Sequence, residues 1–302
     1  VNRSPVAFIS AIAFLSLAGC GAAASKVMAD ALSSGARSTY AEDDDPELVR
    51  AAVPFGLKTM EGLLAEHPDH EGLLTALASG FTQYAYAFVQ QDADEAELEG
   101  KVDLARQLRA RAKKLYLRAR DYGLRGLEVR HEGIAAKLRG VRDLDAAVAS
   151  LEKEDVPLVY WTAASWALAI AAGKEDVALV AQLPAPGALM RRALALDEAW
   201  DEGAIHEFFV SWDAAQGGDE AFRRARANLD RALVLSRGRK LGPIVAYAEA
   251  VSVARQNREE FTRLLTEVAN ADVESDRAHR LANVLARRRA RFLLAHVDDL
   301  FA

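Results

Sequence analysis

With 302 residues, 51% of them hydrophobic, the chain is long enough to bury a sizeable core. Strong helix formers dominate and only 8 prolines interrupt them, which predicts an all-α protein. A formal charge of −6 argues against nucleic acid as the main partner, and a single cysteine excludes an internal disulfide.

The first predicted element is a secretory signal. Arg3 supplies a positive charge, Val6 to Leu17 forms an apolar run too short to span a bilayer, and Leu17-Ala18-Gly19 places small residues before Cys20. The Leu-Ala-Gly-Cys tetrad resembles the bacterial lipobox, which implies a diacylated Cys20 as the new N-terminus and a stable anchor. A plain signal peptide with an incidental cysteine is the alternative. Residues 1–19 are expected to be removed, and residues 20–45 to form a lipidated tether and a first helix over about Lys26 to Tyr40. Gly21 stands where an aspartate would signal inner-membrane retention, which favours an outer-membrane anchor.

Asp45-Pro46-Glu47 opens the helical domain, residues 46–302. Aspartate can accept free backbone N–H groups, proline fits the first helical position, and glutamate suits the positive dipole end. Leu73, Leu74, Leu77, Phe81, Tyr84, Ala85 and Phe88 recur at helical spacing, and Val102 to Tyr122 reads as a basic amphipathic helix. Asp155-Val156-Pro157 starts a helix that carries Tyr160, Trp161 and Trp166 and stops near Gly173. Punctuation falls at Pro184-Ala185-Pro186-Gly187, Gln216-Gly217-Gly218-Asp219, Ser236-Arg237-Gly238 and Gly242-Pro243. Asn257 to Glu260 has the shape of a capping box, and about Ser275 to Leu300 reads as the longest clear helix.

Internal similarity is faint. Arg192-Ala193-Leu194-Ala195-Leu196 recurs 39 residues on as Arg231-Ala232-Leu233-Val234-Leu235, and only Pro68 keeps a junction proline. The pattern predicts degenerate TPR-like hairpins, antiparallel helix pairs stacked into a solenoid with a concave binding surface.

Catalytic signatures are missing: there is no phosphate loop, no H-E-x-x-H and no G-x-S-x-G, so neither an enzyme nor a cofactor is expected. His67-Pro68-Asp69-His70-Glu71 offers metal-ligand types, but its proline favours a solvated turn. His206 is either a satisfied structural histidine or a ligand contact, and a hydrolase would need it to converge with Glu207 and a serine. The Arg287-Arg288-Arg289 and Arg291 group reads as a solvated helix face or a partner contact. Tyr84 and Tyr86 lie two positions apart and so diverge on a helix, as do Tyr160 and Trp161. Ordinary packing accounts for such rings; the functional alternative is that some line an apolar pocket or channel. Candidates for ligand passage or partner contact are Tyr84, Tyr86, Tyr160, Trp161, Trp166, His206 and Phe208.

Several segments together resemble the T component of tripartite ATP-independent periplasmic (TRAP) transporters, the TatT lipoproteins. They are His67-Pro68-Asp69-His70 leading into Leu73 to Phe88 with its Tyr84-Ala85-Tyr86-Ala87-Phe88 core, Ala112 to Leu127, Tyr160 to Trp166, Gly203 to Phe208 and Tyr247-Ala248-Glu249-Ala250. The resemblance implies a periplasm-facing helical lipoprotein, anchored through Cys20 and able to form a homotrimer. It also implies association with the transporter's solute-binding protein and a pore or cleft for apolar or amphipathic ligands. A helical-repeat scaffold for envelope protein assembly is the alternative.

Overall fold

The computed structural model describes residues 25–32, 39–141 and 143–301, and among them every regular element is helical. The signal peptide and Cys20 lie outside the described residues. Of the expected first helix, residues 25–32 and 39–41 are helical.

Helix α1 (Pro46–Glu66) starts as its sequence predicts: Asp45 Oδ1 accepts from the backbone N–H groups of Glu47 (3.1 Å) and Leu48 (3.0 Å). After the His67–His70 turn comes α2 (Glu71–Tyr84), which His70 caps by accepting from Leu73 N–H at 3.2 Å. The same imidazole reaches Asp30 at 3.0 Å, and His67 reaches Ser25 at 2.8 Å, so both rings pin residues 25–32 to the turn.

Helix α2 runs without a break into a π-helical segment, Ala85–Gln90, and then α3 (Gln91–Leu98). Helix α4 (Val102–Arg130) is the longest, and it passes the expected end at Tyr122 because Gly123 and Gly126 serve as contact points rather than stops. A Cβ on Gly123 would lie 2.1 Å from Thr162 Oγ1, and one on Gly126 would lie 2.6 Å from Leu158 Cδ2. Two short helices, α5 (Ile134–Gly140) and α6 (Leu144–Ala149), lead to a 3₁₀ turn, Lys153–Asp155, and α7 (Val156–Ala171).

Beyond α8 (Val177–Val180), the Pro184-Ala185-Pro186-Gly187 punctuation proves to be the first turn of α9 (Pro184–Leu196), where prolines lose no hydrogen bond. Next come a 3₁₀ turn, Trp200–Gly203, α10 (Ala204–Ala214) and α11 (Asp219–Ser236). Helix α12 (Gly242–Tyr247) passes into a second π-helical segment, Ala248–Ser252. Asn257 caps α13 (Arg258–Ala269) through Glu260 N–H, but the capping box is only half formed because the Glu260 carboxylate accepts from Ser252 Oγ at 2.9 Å. The expected long last helix is divided into a 3₁₀ turn, Arg277–His279, then α14 (Arg280–Ala295) and α15 (Val297–Leu300). At the break, His296 Nδ1 bonds the Phe292 carbonyl at 2.9 Å.

Packing runs in a circuit. Helix α1 packs on α2, α2 on α4, α4 on α7, α7 on α9, α9 on α10, α10 on α12 and α12 on α14. Helix α14 then returns to α1, so the circuit closes on itself. Three apolar clusters fill the body; a fourth small one (Val49, Phe88 and Leu285, flanked by Tyr40, Val53 and Leu281) seals this join. Ion pairs Arg280–Asp44 (2.7 Å) and Arg288–Glu47 (2.8 Å) flank the seal.

Candidate functional site

The circuit leaves a lined interior, and Tyr86 reveals it. This side chain is 45% accessible to a water-sized sphere, yet enough protein surrounds it that desolvation pushes its phenol up to about 12. Accessible yet densely surrounded by protein, Tyr86 sits in a hollow of the surface rather than on a convex face. Tyr160 has the same character: part-exposed, with burial holding its phenol well above the usual value. No hydrogen bond to either hydroxyl forms among the described residues.

Charged groups share this space. Glu249 is held by Arg289, whose Nε (3.0 Å) and Nη2 (2.6 Å) both donate to one carboxylate oxygen. Asp94 lies 3.9 Å from Arg289 and 3.4 Å from Arg109, which Glu97 also engages at 2.6 Å. Glu207 pairs with Lys240 at 3.0 Å, and Lys240 also donates to the Asp201 carbonyl at 2.5 Å. Burial raises the carboxyls of Glu249, Asp94 and Glu207 above their ordinary values despite these cations. Tyr86 lies within electrostatic reach of Glu249, Arg289, Asp94 and Glu207, and Tyr160 within reach of Glu207, Asp201 and Tyr86. The two sets therefore line one hollow.

Two π-helical segments aim its key side chains. A π turn inserts one residue and rotates everything after it, and such turns recur at functional sites. Here both fall on the same four-residue pattern: Tyr84-Ala85-Tyr86-Ala87 and Tyr247-Ala248-Glu249-Ala250. In each the tyrosine packs against protein and the third residue turns inward. The last residue of each segment is pinned, Gln90 by the buried Tyr116 hydroxyl at 2.6 Å and Ser252 by Glu260.

Backbone strain shapes another part of the wall. Asp201 (φ 45°), Glu202 (φ 54°) and Gly203 (φ 88°) are consecutive left-handed residues, a costly arrangement for the two with a Cβ. Lys240 holds Asp201, while Arg239 (2.7 Å) and His279 (3.4 Å) hold Glu202. This turn sets Trp200 against Tyr160, with ring centroids 4.6 Å apart, and Trp161 meets Tyr160 edge-on at 5.0 Å. The Trp161 indole N–H is buried with no partner among the described residues.

The candidates read from sequence separate accordingly. Tyr86, Tyr160 and Trp161 come together at the hollow. Tyr84 packs among three apolar clusters and against Phe88, with centroids 5.7 Å apart. Trp166 is fully buried, its indole N–H donating to Gln182 at 3.1 Å. His206 is buried with both ring nitrogens engaged, by Asn228 at 2.7 Å and Glu198 at 3.1 Å. Phe208 stacks on Trp212 at 5.3 Å. Asp94, Lys240 and Glu249 carried no individual signal, although the shared Tyr-Ala-x-Ala pattern would have paired Glu249 with Tyr86. Arg289 departs from the expected solvated face: it is 7% exposed and faces Glu249.

Fold and site together define an all-helical scaffold whose packing brings part-exposed aromatic and charged side chains together. The sequence profile of the TRAP transporter T-component family matches residues 42–301, and the chain belongs to that family. It is also 30% identical over 269 residues to an uncharacterised protein of Treponema pallidum (strain Nichols), an alignment spanning 87% of this chain and 82% of that protein. T components are accessory parts of a transporter. Among the described residues no helix is long and apolar enough to cross a membrane.

Proposed function

We propose that this chain is the periplasmic accessory lipoprotein of a TRAP transporter. In this reading Cys20 carries the lipid that tethers it to a membrane, more favourably the outer one. The helical domain docks the transporter's solute-binding protein, and the hollow receives or passes an amphipathic ligand. The observation that carries the reading is the cluster of part-exposed yet densely surrounded side chains at Tyr86 and Tyr160 in a chain of this family. Charged groups along its wall favour an amphipathic ligand over a wholly apolar one, because burying them against hydrocarbon would cost free energy. No step here needs catalysis or a cofactor; the gradient-driven permease would supply the energy.

The test is to mix the chain with the solute-binding protein of the same transporter and run size exclusion with light scattering. Co-elution at a fixed ratio is the expected result, with a trimer's mass for this chain alone. Separate elution at concentrations well above micromolar would overturn the docking role and favour a scaffold for envelope assembly.

A further inference from the structure

We propose that the domain rests on the bilayer by the end that carries the His67–His70 turn, with Val27 and Met28 seated in the lipid interface. This inference rests on Cys20 being the lipid site and concerns which face of the domain that lipid holds to the membrane.

The length of the tether carries the argument. The first described helix begins at Ser25, and the stretch from Cys20 to Ser25 spans at most about 18 Å when fully extended. That helix is fixed to the domain: the Ser25 hydroxyl meets His67 at 2.8 Å, Asp30 meets His70 at 3.0 Å, and Ala29 is fully buried with Leu57, Leu64 and Leu73. It therefore sits at the turn between α1 and α2. The C-terminal end of α4 reaches the same turn, where Arg125 donates to the Pro68 carbonyl and Arg130 pairs with Glu71 at 2.6 Å. From there the 29 residues of α4 extend about 43 Å to Val102. A lipid on Cys20 can thus bring only this end of the domain against a membrane.

What this end presents suits the contact. Val27 and Met28 are 68% and 54% exposed, on a helix whose opposite side is buried at Ala29. Val129, at the close of α4, is 39% exposed. Apolar side chains that enter the headgroup boundary add to the hold of an acyl anchor. Around the turn the exposed acids Asp30, Glu66 and Asp69 match the exposed bases Lys26, Arg125 and Arg130, so the contact calls for no anionic lipid. Exposed Val177 lies well away: it follows Asp176, which pairs with Lys113 about 25 Å back along α4 from Arg130.

The experiment uses the mature acylated chain in phosphatidylcholine vesicles that contain a nitroxide-bearing lipid. Intact mass first establishes that Cys20 carries the acyl chains. Its thiol is then blocked, so Met28→Cys offers a single thiol for a fluorophore, with Val177→Cys as the distant control. Quenching at position 28 is expected to be at least threefold stronger than at position 177. A fluorophore on Val129→Cys should lose at least half its quenching when Val27→Asp and Met28→Asp are added. Equal quenching at positions 28 and 177 on an acylated chain would overturn the assignment of this face while leaving the anchor. Unchanged quenching at position 129 in the aspartate variant would overturn the seating of Val27 and Met28. An unacylated Cys20 would overturn the anchor reading, and this inference with it. The comparison of positions 28 and 177 needs only single substitutions at exposed residues, so a misfolded aspartate variant leaves it standing.

Discussion

The contact between α4 and α7 carries Tyr160 to the hollow, and a single methyl group should disturb it. In Gly123→Ala the new Cβ would sit 2.1 Å from Thr162 Oγ1, 3.0 Å from Thr162 Cβ and 3.2 Å from Thr162 Cα. Helix propensity favours alanine by about 1 kcal/mol. Against that, overpacking costs about 1–3 kcal/mol, and the backbone contact places this site at the upper end. Turning the Thr162 hydroxyl aside offers little relief, because it would break the bond from Oγ1 to the Leu158 carbonyl at 2.6 Å. The net expectation is a loss of about 2 kcal/mol, read as a lower urea midpoint and a melting temperature down by about 3 °C. Gly62→Ala is the matched control, an exposed glycine of α1 with no atom within 4 Å of its built Cβ. It should gain about 0.5–1 kcal/mol. Thr162→Ala combined with Gly123→Ala removes the closest clash and should recover part of the loss. A Gly123→Ala protein as stable as the parent, or a Gly62→Ala protein equally damaged, would refute the steric reasoning.

At the join, Leu285→Ala should cost about 2–3 kcal/mol in chemical unfolding, whereas Arg280→Ala, which breaks two ion pairs to exposed carboxylates (Asp44 and Glu274), should cost about 1 kcal/mol. Arg231 and His206 hold the Glu198 carboxyl down to about 2, against an ordinary 4.5. Its stabilisation is therefore present above pH 4.5 and lost as pH falls toward 2; acid titration of Glu198→Gln should lack this component. Glu207 has the opposite sign. Burial raises its folded-state carboxyl, so the parent should lose stability relative to Glu207→Gln as pH rises from 4.5 through that raised value, followed by thermal melts across pH. Tyr84→Ala should destabilise the fold by about 3 kcal/mol, while Tyr86→Phe should leave the melting temperature nearly unchanged and alter only ligand titration.

Much of the fold was legible in local chemistry. Capping at Asp45, the proline start of α7 and the apolar spacing of α2 each depend on neighbours within a few residues, and the structure agrees with all three. Local signals misled where a residue's role is set by what packs against it. The helix read as far as Tyr122 continues to Arg130, with Gly123 an approach point for Thr162, and the Pro184 to Gly187 run looks like a break but is a helix start.

Divergence of Tyr84 from Tyr86 also followed from helical geometry alone. Which of the two would face inward did not, because the π turn after Tyr84 shifts the phase by one residue and leaves no compositional trace. The hollow itself was decided by tertiary structure. Asp94, Glu207, Lys240, Glu249 and Arg289 come from separate helices and loops, and Asp94 reaches Arg289 across 195 residues of sequence only through the tertiary fold. Sequence determined where helices start, which stripe each buries and the family to which they belong. Closure of the circuit decided which polar residues of its two ends face one another, since that depends on pairings between segments more than 200 residues apart. No local window records such a pairing.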